Sequence, residues 1–324
     1  MSEKSESEYR IYYIDPKKHL NSEDLELDSD VDVEANDGII PKIWNDDNEL
    51  KSCLFKVAHR TPRSERNVRV DWAEKVVSEI ADLLGIPTAR YEFATTYFRN
   101  SPELVEGIVS INCIATGNVR QSGEELLNQM IDDGSEASQQ YTIENSIEAL
   151  DLAQVKRPSG YDRIPNGIES GSETFVGYIL LDTLVDNWDR HAENWSIILG
   201  EEIELMPCYD YGESLCSGDN DEEKQSIKLD EYIQVSSSSF TDQEGTKRLS
   251  MLEVFKRAAS LKPQAAKIWL DQLAALNPAD INQIFNRIPE GRITEVSANF
   301  AKGLIEYNRT ELLRLYPLEL DSGR

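Results

Sequence analysis

The chain has 324 residues, a length that allows one large domain or two modest domains with real cores. Its hydrophobic and charged fractions, 40% and 29%, are ordinary for a globular protein, but its formal net charge of -27 is not. That charge argues against a nucleic-acid-binding surface and against an anionic membrane as a working platform. It does not exclude ATP, because a local cation and a few basic residues can offset a global field.

The termini and the cysteines indicate the compartment. The N-terminus opens on polar residues and no stretch approaches the length of a membrane span, so we expect a cytoplasmic protein with neither signal peptide nor membrane contact. The four cysteines lack CxxC spacing, which favours reduced core thiols. The three histidines are too scattered for a zinc cluster. Any metal should therefore be magnesium or manganese held by oxygen atoms.

The N-terminal third is rich in strand patterns. Residues 1–37 are predicted as an acidic extension, since eight of the sixteen residues from Ser22 to Asp37 are Asp or Glu. A strand–turn–strand pattern follows over 38–57. Lys56 interrupts its second apolar strand, so the buried ammonium group needs a partner.

A helix and two more strands complete this region. Apolar residues at helical spacing predict a helix over 70–84, which carries Glu74 and which Gly85 ends. The segments 89–96 and 107–115 are predicted strands, the second a nearly continuous apolar run.

The pattern changes near Thr116-Gly-Asn118, a plausible hinge. Beyond it the only strand signal is a hairpin over 195–207, and the helical patterns cover 124–131, 143–153, 174–185, 263–276, a segment from Pro278, and 294–315. We therefore predict an α+β, bilobal architecture with a β-rich N-terminal lobe over 38–116 and an α-helical C-terminal lobe over 117–324.

The stretch Asp186-Asn-Trp-Asp-Arg-His-Ala-Glu-Asn194 carries the candidate chemistry. It follows an apolar helix and precedes the hairpin, and Asp210 comes directly after that hairpin. Because a hairpin returns the chain to its start, Asp210 should lie near Asn194 and Asp189. Two carboxylates and an amide are the ligands that a hard cation prefers.

These residue types match the needs of phosphoryl transfer from ATP. That reaction requires a carboxylate to accept the proton of the attacking hydroxyl or to orient it, two oxygen ligands for magnesium and a cation on the phosphates. Asp189 suits the first role, Asn194 and Asp210 the second, and Lys56 the third. The Asp-x-x-x-x-Asn step is that of protein-kinase catalytic loops, and a helix glutamate about 18 residues after a strand lysine is how a kinase N-lobe builds its ion pair.

Four segments together resemble the kinase signature of the HipA-like family: Asn187-Trp-Asp-Arg-His-Ala-Glu-Asn194, Pro207-Cys-Tyr-Asp210, Cys53-Leu-Phe-Lys56, and Glu74 ahead of Gly85-Ile-Pro87. The resemblance spans about residues 38 to 316. It implies a bilobal serine/threonine protein kinase that uses ATP and Mg2+ on a protein substrate, with a toxin-like role and an antitoxin-like partner among the options. The implied roles are catalytic base for Asp189, metal ligands for Asn194 and Asp210, and nucleotide contacts for Lys56, with Glu74 as the partner of Lys56.

The chain departs from that family in the segment Gly38-Ile-Ile-Pro-Lys42. Members often carry a small hydroxyl residue there, which meets phosphate, but this segment has no Ser or Thr. Phosphate contact would fall to backbone amides and to Lys42, and a phosphorylation switch in this loop is not expected. The acidity of the chain also disfavours the DNA-bound complexes of the two-domain toxins.

Three further segments and three alternatives complete the interpretation. We expect His191 to order its loop by hydrogen bonding, the acidic stretch 211–224 to be a solvated loop that would suit a basic target if it faced substrate, and Ser236–Ser239 to be a flexible polar stretch. The alternatives are a nucleotide-binding pseudokinase or partner-binding module, a lipid or small-molecule kinase, and a capped helix–hairpin without chemistry.

Overall fold

The computed structural model describes residues 8–14, 42–47, 50–58, 68–97, 104–130 and 141–315, with residues 42–47 and 51 described by their backbone. The strands are β1 (Ile11–Tyr13), β2 (Lys42–Asp47), β3 (Lys51–Val57), β4 (Tyr91–Tyr97), β5 (Leu104–Ile111), β6 (Val119–Ser122), β7 (Ser196–Leu199) and β8 (Ile203–Leu205). The helices are α1 (Asp71–Leu84), α2 (Gly123–Asn128), α3 (Ile143–Leu152), α4 (Gly171–Val185), α5 (Asp221–Ser226), α6 (Leu229–Val235), α7 (Met251–Leu261), α8 (Pro263–Ala275), α9 (Pro278–Asn286) and α10 (Glu295–Leu313).

The N-terminal lobe is a five-stranded sheet in the order β1-β4-β5-β3-β2, with α1 packed against it. The β1–β4 pair is parallel and the other pairs are antiparallel. The predicted helix that Gly85 ends and the two strands after it are confirmed. Both strands of the strand–turn–strand predicted over 38–57 are present, but residues 38–41, 48 and 49 of that stretch lie outside the described residues. Glycine is required at position 107, where β5 pairs with β3, because a Cβ atom there would lie 2.1 Å from the carbonyl oxygen of Lys56.

Residues 8–14 belong to this lobe, although the sequence places them in an acidic extension. Ile14 donates its backbone N–H to the carbonyl of Thr95 at 2.8 Å. Tyr9 is buried, with Lys75 and Arg287 over its ring at 4.6 and 4.1 Å. A three-residue strand is too short to show alternation, and pairing with a distant strand stabilises it instead. The acidic stretch 22–37 lies outside the described residues.

The C-terminal lobe is built around α4, which is buried on all sides. Ser170 and Glu173 form a capping box at its start, and Asp186 ends it in the left-handed conformation. Helices α3, α7, α8 and α10 pack around it. Because this largely apolar helix has no polar face to turn to solvent, it forms the centre of the lobe.

A three-stranded antiparallel sheet, β6-β7-β8, lies beside these helices. The hairpin β7–β8 is confirmed, but the sequence does not predict β6, which pairs Val119–Ser122 with β7. The sequence also predicts no helix between 211 and 262, where α5, α6 and α7 occur. Two of these helices have six and seven residues, too few for a clear period, and α5 is started by a capping box at Asn220.

The two lobes share a hydrophobic core. The apolar face of α1 joins the cluster that fills the C-terminal lobe, with Trp72 lying 6.5 Å from the ring of Phe285. A smaller cluster covers the other face of the N-terminal sheet. The predicted α+β bilobal architecture is confirmed. No helix in the described part of the chain is long and apolar enough to cross a membrane.

Candidate active site

Lys56 joins the two lobes at the candidate site. Its Nζ lies 2.9 Å from Oε1 of Glu74 on α1 and 2.8 Å from Oδ1 of Asp210, which follows the β7–β8 hairpin. The second oxygen of Glu74 accepts the backbone N–H of Tyr211 at 2.8 Å. The side chains of Lys56 and Glu74 are only 10% and 3% exposed. One carboxylate thus links β3, α1 and the segment that contains Asp210.

The two carboxylates hold Lys56 in its charged form. Burial by itself lowers the pKa of Lys56, but the charges of Asp210 and Glu74 outweigh it and raise the pKa well above its ordinary value. A buried ammonium group with two carboxylate partners satisfies the requirement that the sequence poses at this position.

The loop between α4 and β7 presents Asp189 and Asn194 together. The side-chain amide of Asn194 donates to the backbone carbonyl of Asp189 at 2.8 Å and approaches its carboxylate at 3.4 Å. The loop closes with a 3-10 turn at Ala192–Asn194, and Nδ1 of His191 accepts the backbone N–H of Glu193 at 3.3 Å. His191 therefore orders the loop, as the sequence leads us to expect.

Arg190 fixes this loop against the hairpin, and sequence reasoning missed it. It is fully buried and forms a bidentate pair with Asp182 at 2.8 and 2.9 Å. Its Nη1 donates to the carbonyls of Asn194 and of Tyr209, the latter at 2.9 Å. Because Tyr209 precedes Asp210, one guanidinium places both predicted metal ligands. The signal was present in Asp182, a lone carboxylate inside an apolar helix that must find a cation.

Tyr91 is a second residue that the sequence did not single out. Its hydroxyl accepts the backbone N–H of Asp210 at 3.0 Å. Burial raises the pKa of Tyr91 well above its ordinary value, so the hydroxyl stays protonated. Asp210 itself has φ +62, a conformation that costs energy for a residue with a side chain. The hydrogen bonds around it hold that strained conformation.

The sixth predicted site residue, Lys42, is placed only by its backbone. It stands opposite Lys56 in the β2–β3 register. The preceding residues 38–41 of the expected phosphate loop lie outside the described residues. The structure thus brings Lys56, Glu74 and Asp210 into direct contact, and it connects Asp189 and Asn194 to them through Arg190.

The predicted metal ligands, Asn194 and Asp210, offer few protein atoms. The NH2 group of Asn194 is committed to Asp189, which leaves its amide oxygen as the ligand atom of that side chain. The Asp210 carboxylate is 31% exposed. Across the described residues no three His, Cys, Asp or Glu side chains cluster in a way that could hold a metal. Two protein oxygens fit an ion such as Mg2+, which keeps waters and takes other ligands from substrate phosphates.

Two neighbouring segments differ from expectation. The stretch 211–224 is not a fully solvated loop, since Tyr211, the residues 214–217 and Lys224 are buried. The serine segment is not loose: Ser236 donates to Asp186 at 3.0 Å and Ser239 donates to the carbonyl of Trp188 at 3.1 Å. The serine segment therefore braces the loop that carries Asp189, and the ring of Tyr211 lies 5.3 Å from the guanidinium carbon of Arg190 in that loop. Hydrophobicity alone does not reveal this, because the contacts are hydrogen bonds across the lobe.

No protein-family model and no curated protein matches this sequence. Solved structures do match its fold. The Helicobacter pylori proinflammatory kinase CtkA superposes with a TM-score of 0.62 at 17% identity, over 87% of this chain and 93% of that one. HipA of Shewanella oneidensis, solved in a complex with HipB and operator DNA, has a TM-score of 0.52 at 14% identity, over 91% of this chain and 67% of that one.

Structural matches at identities this low support the fold but do not establish the reaction. The agreement covers nearly the whole described chain and both lobes, as the resemblance in the sequence implies. The chain has a HipA-like kinase fold.

Proposed function

We propose that the chain is an ATP- and Mg2+-dependent protein kinase of the HipA-like type that phosphorylates serine or threonine. One observation carries the proposal: Lys56, held by Glu74 of its own lobe at 2.9 Å, meets Asp210 of the other lobe at 2.8 Å, beside the Asp189–Asn194 loop. Phosphoryl transfer needs a cation, oxygen ligands and a carboxylate base, placed where two lobes can enclose a nucleotide.

Each residue then has a defined task. Lys56 steadies the phosphates of ATP, and Glu74 keeps its ammonium group in place. Asn194 and Asp210 would hold magnesium, which neutralises charge on the phosphates when it is bound. Asp189 accepts the proton of the substrate hydroxyl while the hydroxyl oxygen forms a bond to the γ-phosphorus. The bond from that phosphorus to the β-phosphate oxygen breaks, and ADP leaves with the electron pair.

The decisive experiment follows labelled γ-phosphate from ATP to protein. Asp189→Ala should lower the transfer rate by about 10²- to 10⁴-fold, the usual contribution of a general base. Glu193→Gln is the matched control, since it removes an exposed carboxylate of the same loop. Comparing the phosphoproteins made by wild type and by Asp189→Ala would identify the target. Unchanged transfer in Asp189→Ala would overturn the role of this residue.

The same assay separates the alternatives. A pseudokinase would bind ATP without transferring phosphate although Asp189 is intact. A lipid or small-molecule kinase would hydrolyse or transfer phosphate only when a non-protein acceptor is added. The assembled set of Lys56, Glu74, Asp189, Asn194 and Asp210 favours an active kinase over a pseudokinase.

We further propose a protein partner of the antitoxin kind, in the cytoplasm. The support is the likeness to HipA, whose solved structure contains HipB. Because this chain has a net charge of -27, the partner should bind it without DNA. Co-purification of the tagged chain from its own host, with and without nuclease treatment, tests this proposal: a partner that is lost on nuclease treatment would refute it.

A further inference from the structure

Arg292 reaches from the C-terminal lobe into the N-terminal lobe. It lies in the connection between α9 and α10, and its side chain is only 1% exposed. Its Nη1 donates to Oδ2 of Asp71 at 2.8 Å and to the carbonyl of Gly107 at 3.1 Å. Its Nη2 lies 3.5 Å from the carbonyl of Ala94. The guanidinium therefore contacts α1, β4 and β5 at once.

A contact of this kind fixes relative positions. The guanidinium is planar, and its donors project in a fixed fork, so it fits its acceptors in one arrangement only. Here the acceptors belong to the helix and to the sheet of one lobe, while the arginine belongs to the other. The ring of Phe93 lies 5.2 Å from the guanidinium carbon and encloses it further. Moving α1 relative to the C-terminal lobe would break the pair with Asp71 and leave the buried guanidinium with the more distant carboxylate of Glu106, at 3.6 Å.

The helix carries this constraint to the candidate site. Asp71 is the first residue of α1 and Glu74 stands three residues later, about 4.5 Å along the helix axis. Glu74 in turn holds Lys56 at 2.9 Å and the backbone of Tyr211 at 2.8 Å. A shift at the start of α1 thus displaces the carboxylate that orients Lys56.

We propose that Arg292 is a positioning residue: it holds α1 against the C-terminal lobe in the position at which Glu74 meets Lys56. The consequence for activity rests on the proposed kinase function, whereas the consequence for α1 does not. Arg292 does not touch the candidate site itself, and it acts only through Asp71 and the helix.

The sequence allows a clean substitution at this position. Asp71 also pairs with Arg69, at 2.8 and 3.2 Å, so Arg292→Met leaves that carboxylate with one cation. The effect of this variant therefore reports mainly on the lost link between the lobes, and less on a buried Asp71 carboxylate without a cation. Arg292→Lys keeps the positive charge but not the fork. Arg257→Met is the matched control, because Arg257 pairs with Glu144 inside the C-terminal lobe.

Two readouts are measured on the full-length chain. The first is amide hydrogen exchange, in which Arg292→Met should speed exchange over 71–84 more than over α8 and α10. The second is steady-state kinetics. The KM for ATP should rise about tenfold, which is the affinity equivalent of one charge-assisted hydrogen bond, and Arg292→Lys should restore part of it. The KM for the protein substrate should not change.

A purely structural role gives a different result. Loss of folded protein lowers the maximal rate but leaves the KM for ATP as it is, and it speeds exchange in both lobes alike. That outcome, or an Arg292→Met variant that behaves as Arg257→Met does, overturns the proposal. If the wild-type chain transfers no phosphate, the kinase function fails instead. The exchange of α1 and the dissociation constant of ATP then still decide whether Arg292 positions the helix.

Discussion

Replacing Glu74 by glutamine tests the contact on which the candidate site depends. The carboxylate is 3% exposed and uses both oxygens, one for Lys56 at 2.9 Å and one for the N–H of Tyr211 at 2.8 Å. Glutamine has the same shape but only one acceptor oxygen. Glu74→Gln must therefore give up one of the two contacts, and it removes a charge that faces Lys56.

The size of the effect follows from the remaining partners. A hydrogen bond to a charged group contributes about 1.5–3 kcal/mol. Breaking a buried ion pair completely costs about 3–5 kcal/mol, but Lys56 keeps Asp210 at 2.8 Å, so this larger penalty should not apply. We expect Glu74→Gln to lower the free energy of unfolding by about 1.5–3 kcal/mol.

The pH dependence has a definite sign. Burial lowers the pKa of Lys56, but the charges of Asp210 and Glu74 raise it by more, so the net shift is upward. A raised lysine pKa contributes stability that is fully present below the ordinary value of about 10.5 and is lost only as the pH rises through the folded-state value. The difference between wild type and Glu74→Gln should accordingly stay constant around neutral pH and shrink in strong alkali.

Urea denaturation at neutral pH measures the effect, with Glu79→Gln as control. Glu79 lies on the same helix and pairs with Lys75 at 2.7 Å, but it is 30% exposed, so its loss should cost under about 1 kcal/mol. If the two variants unfold at the same urea concentration, the buried contact with Lys56 does not stabilise the protein and the reasoning fails.

Three further predictions concern the surroundings of the site. Burial raises the pKa of Asp186, and the hydrogen bond from Ser236 offsets only part of that shift. The folded protein therefore loses stability as the pH rises from about 4 through the raised value, because Asp186 must then carry its charge while buried. Asp186→Asn should therefore gain thermal stability over wild type as the pH approaches neutral, and equal melting temperatures at every pH would contradict this. Arg190→Met leaves the buried carboxylate of Asp182 without a cation, although the amide of Asn187 still donates to it at 2.7 Å. This substitution should cost about 3–5 kcal/mol in chemical denaturation, while a loss below about 1 kcal/mol would contradict the role of that arginine. Burial raises the pKa of Cys113 to about 11, so native protein at neutral pH should be alkylated slowly there, as mass spectrometry would show; rapid labelling would refute the burial.

The two-lobe architecture could be predicted because its signals are local. The apolar stripe of α1, the largely apolar α4 and the hairpin after it are each visible within a window of about 15 residues. The strands β1 and β6 could not be predicted in this way. Each has three or four residues and is stable only because a strand distant in sequence pairs with it, β4 in one case and β7 in the other. The periodicity of so short a segment carries no information on such a partner.

The candidate site shows the same division. Asp189, Asn194 and Asp210 could be grouped because one loop and one hairpin connect them, and Lys56 could be found because it interrupts an apolar strand. The partner of the buried Arg292 could not be found. The pair of Arg292 and Asp71 spans 221 residues, and composition offers 60 acidic residues as candidates. Only the fold selects among them.

The charges at the site explain how so acidic a chain could use ATP. Lys56 is one cation among three carboxylates, those of Glu74, Asp210 and Asp189, so this cluster by itself is anionic, like the chain as a whole. Such a cluster repels free nucleotide, and Lys56 is already engaged by two of the carboxylates. A divalent cation at Asp210 and Asn194 would reverse the balance, because it neutralises one carboxylate that Lys56 now contacts and brings positive charge to the phosphates. Within the proposed function, nucleotide and metal should therefore enter together, and the overall charge of the chain favours the metal complex of ATP over ATP alone.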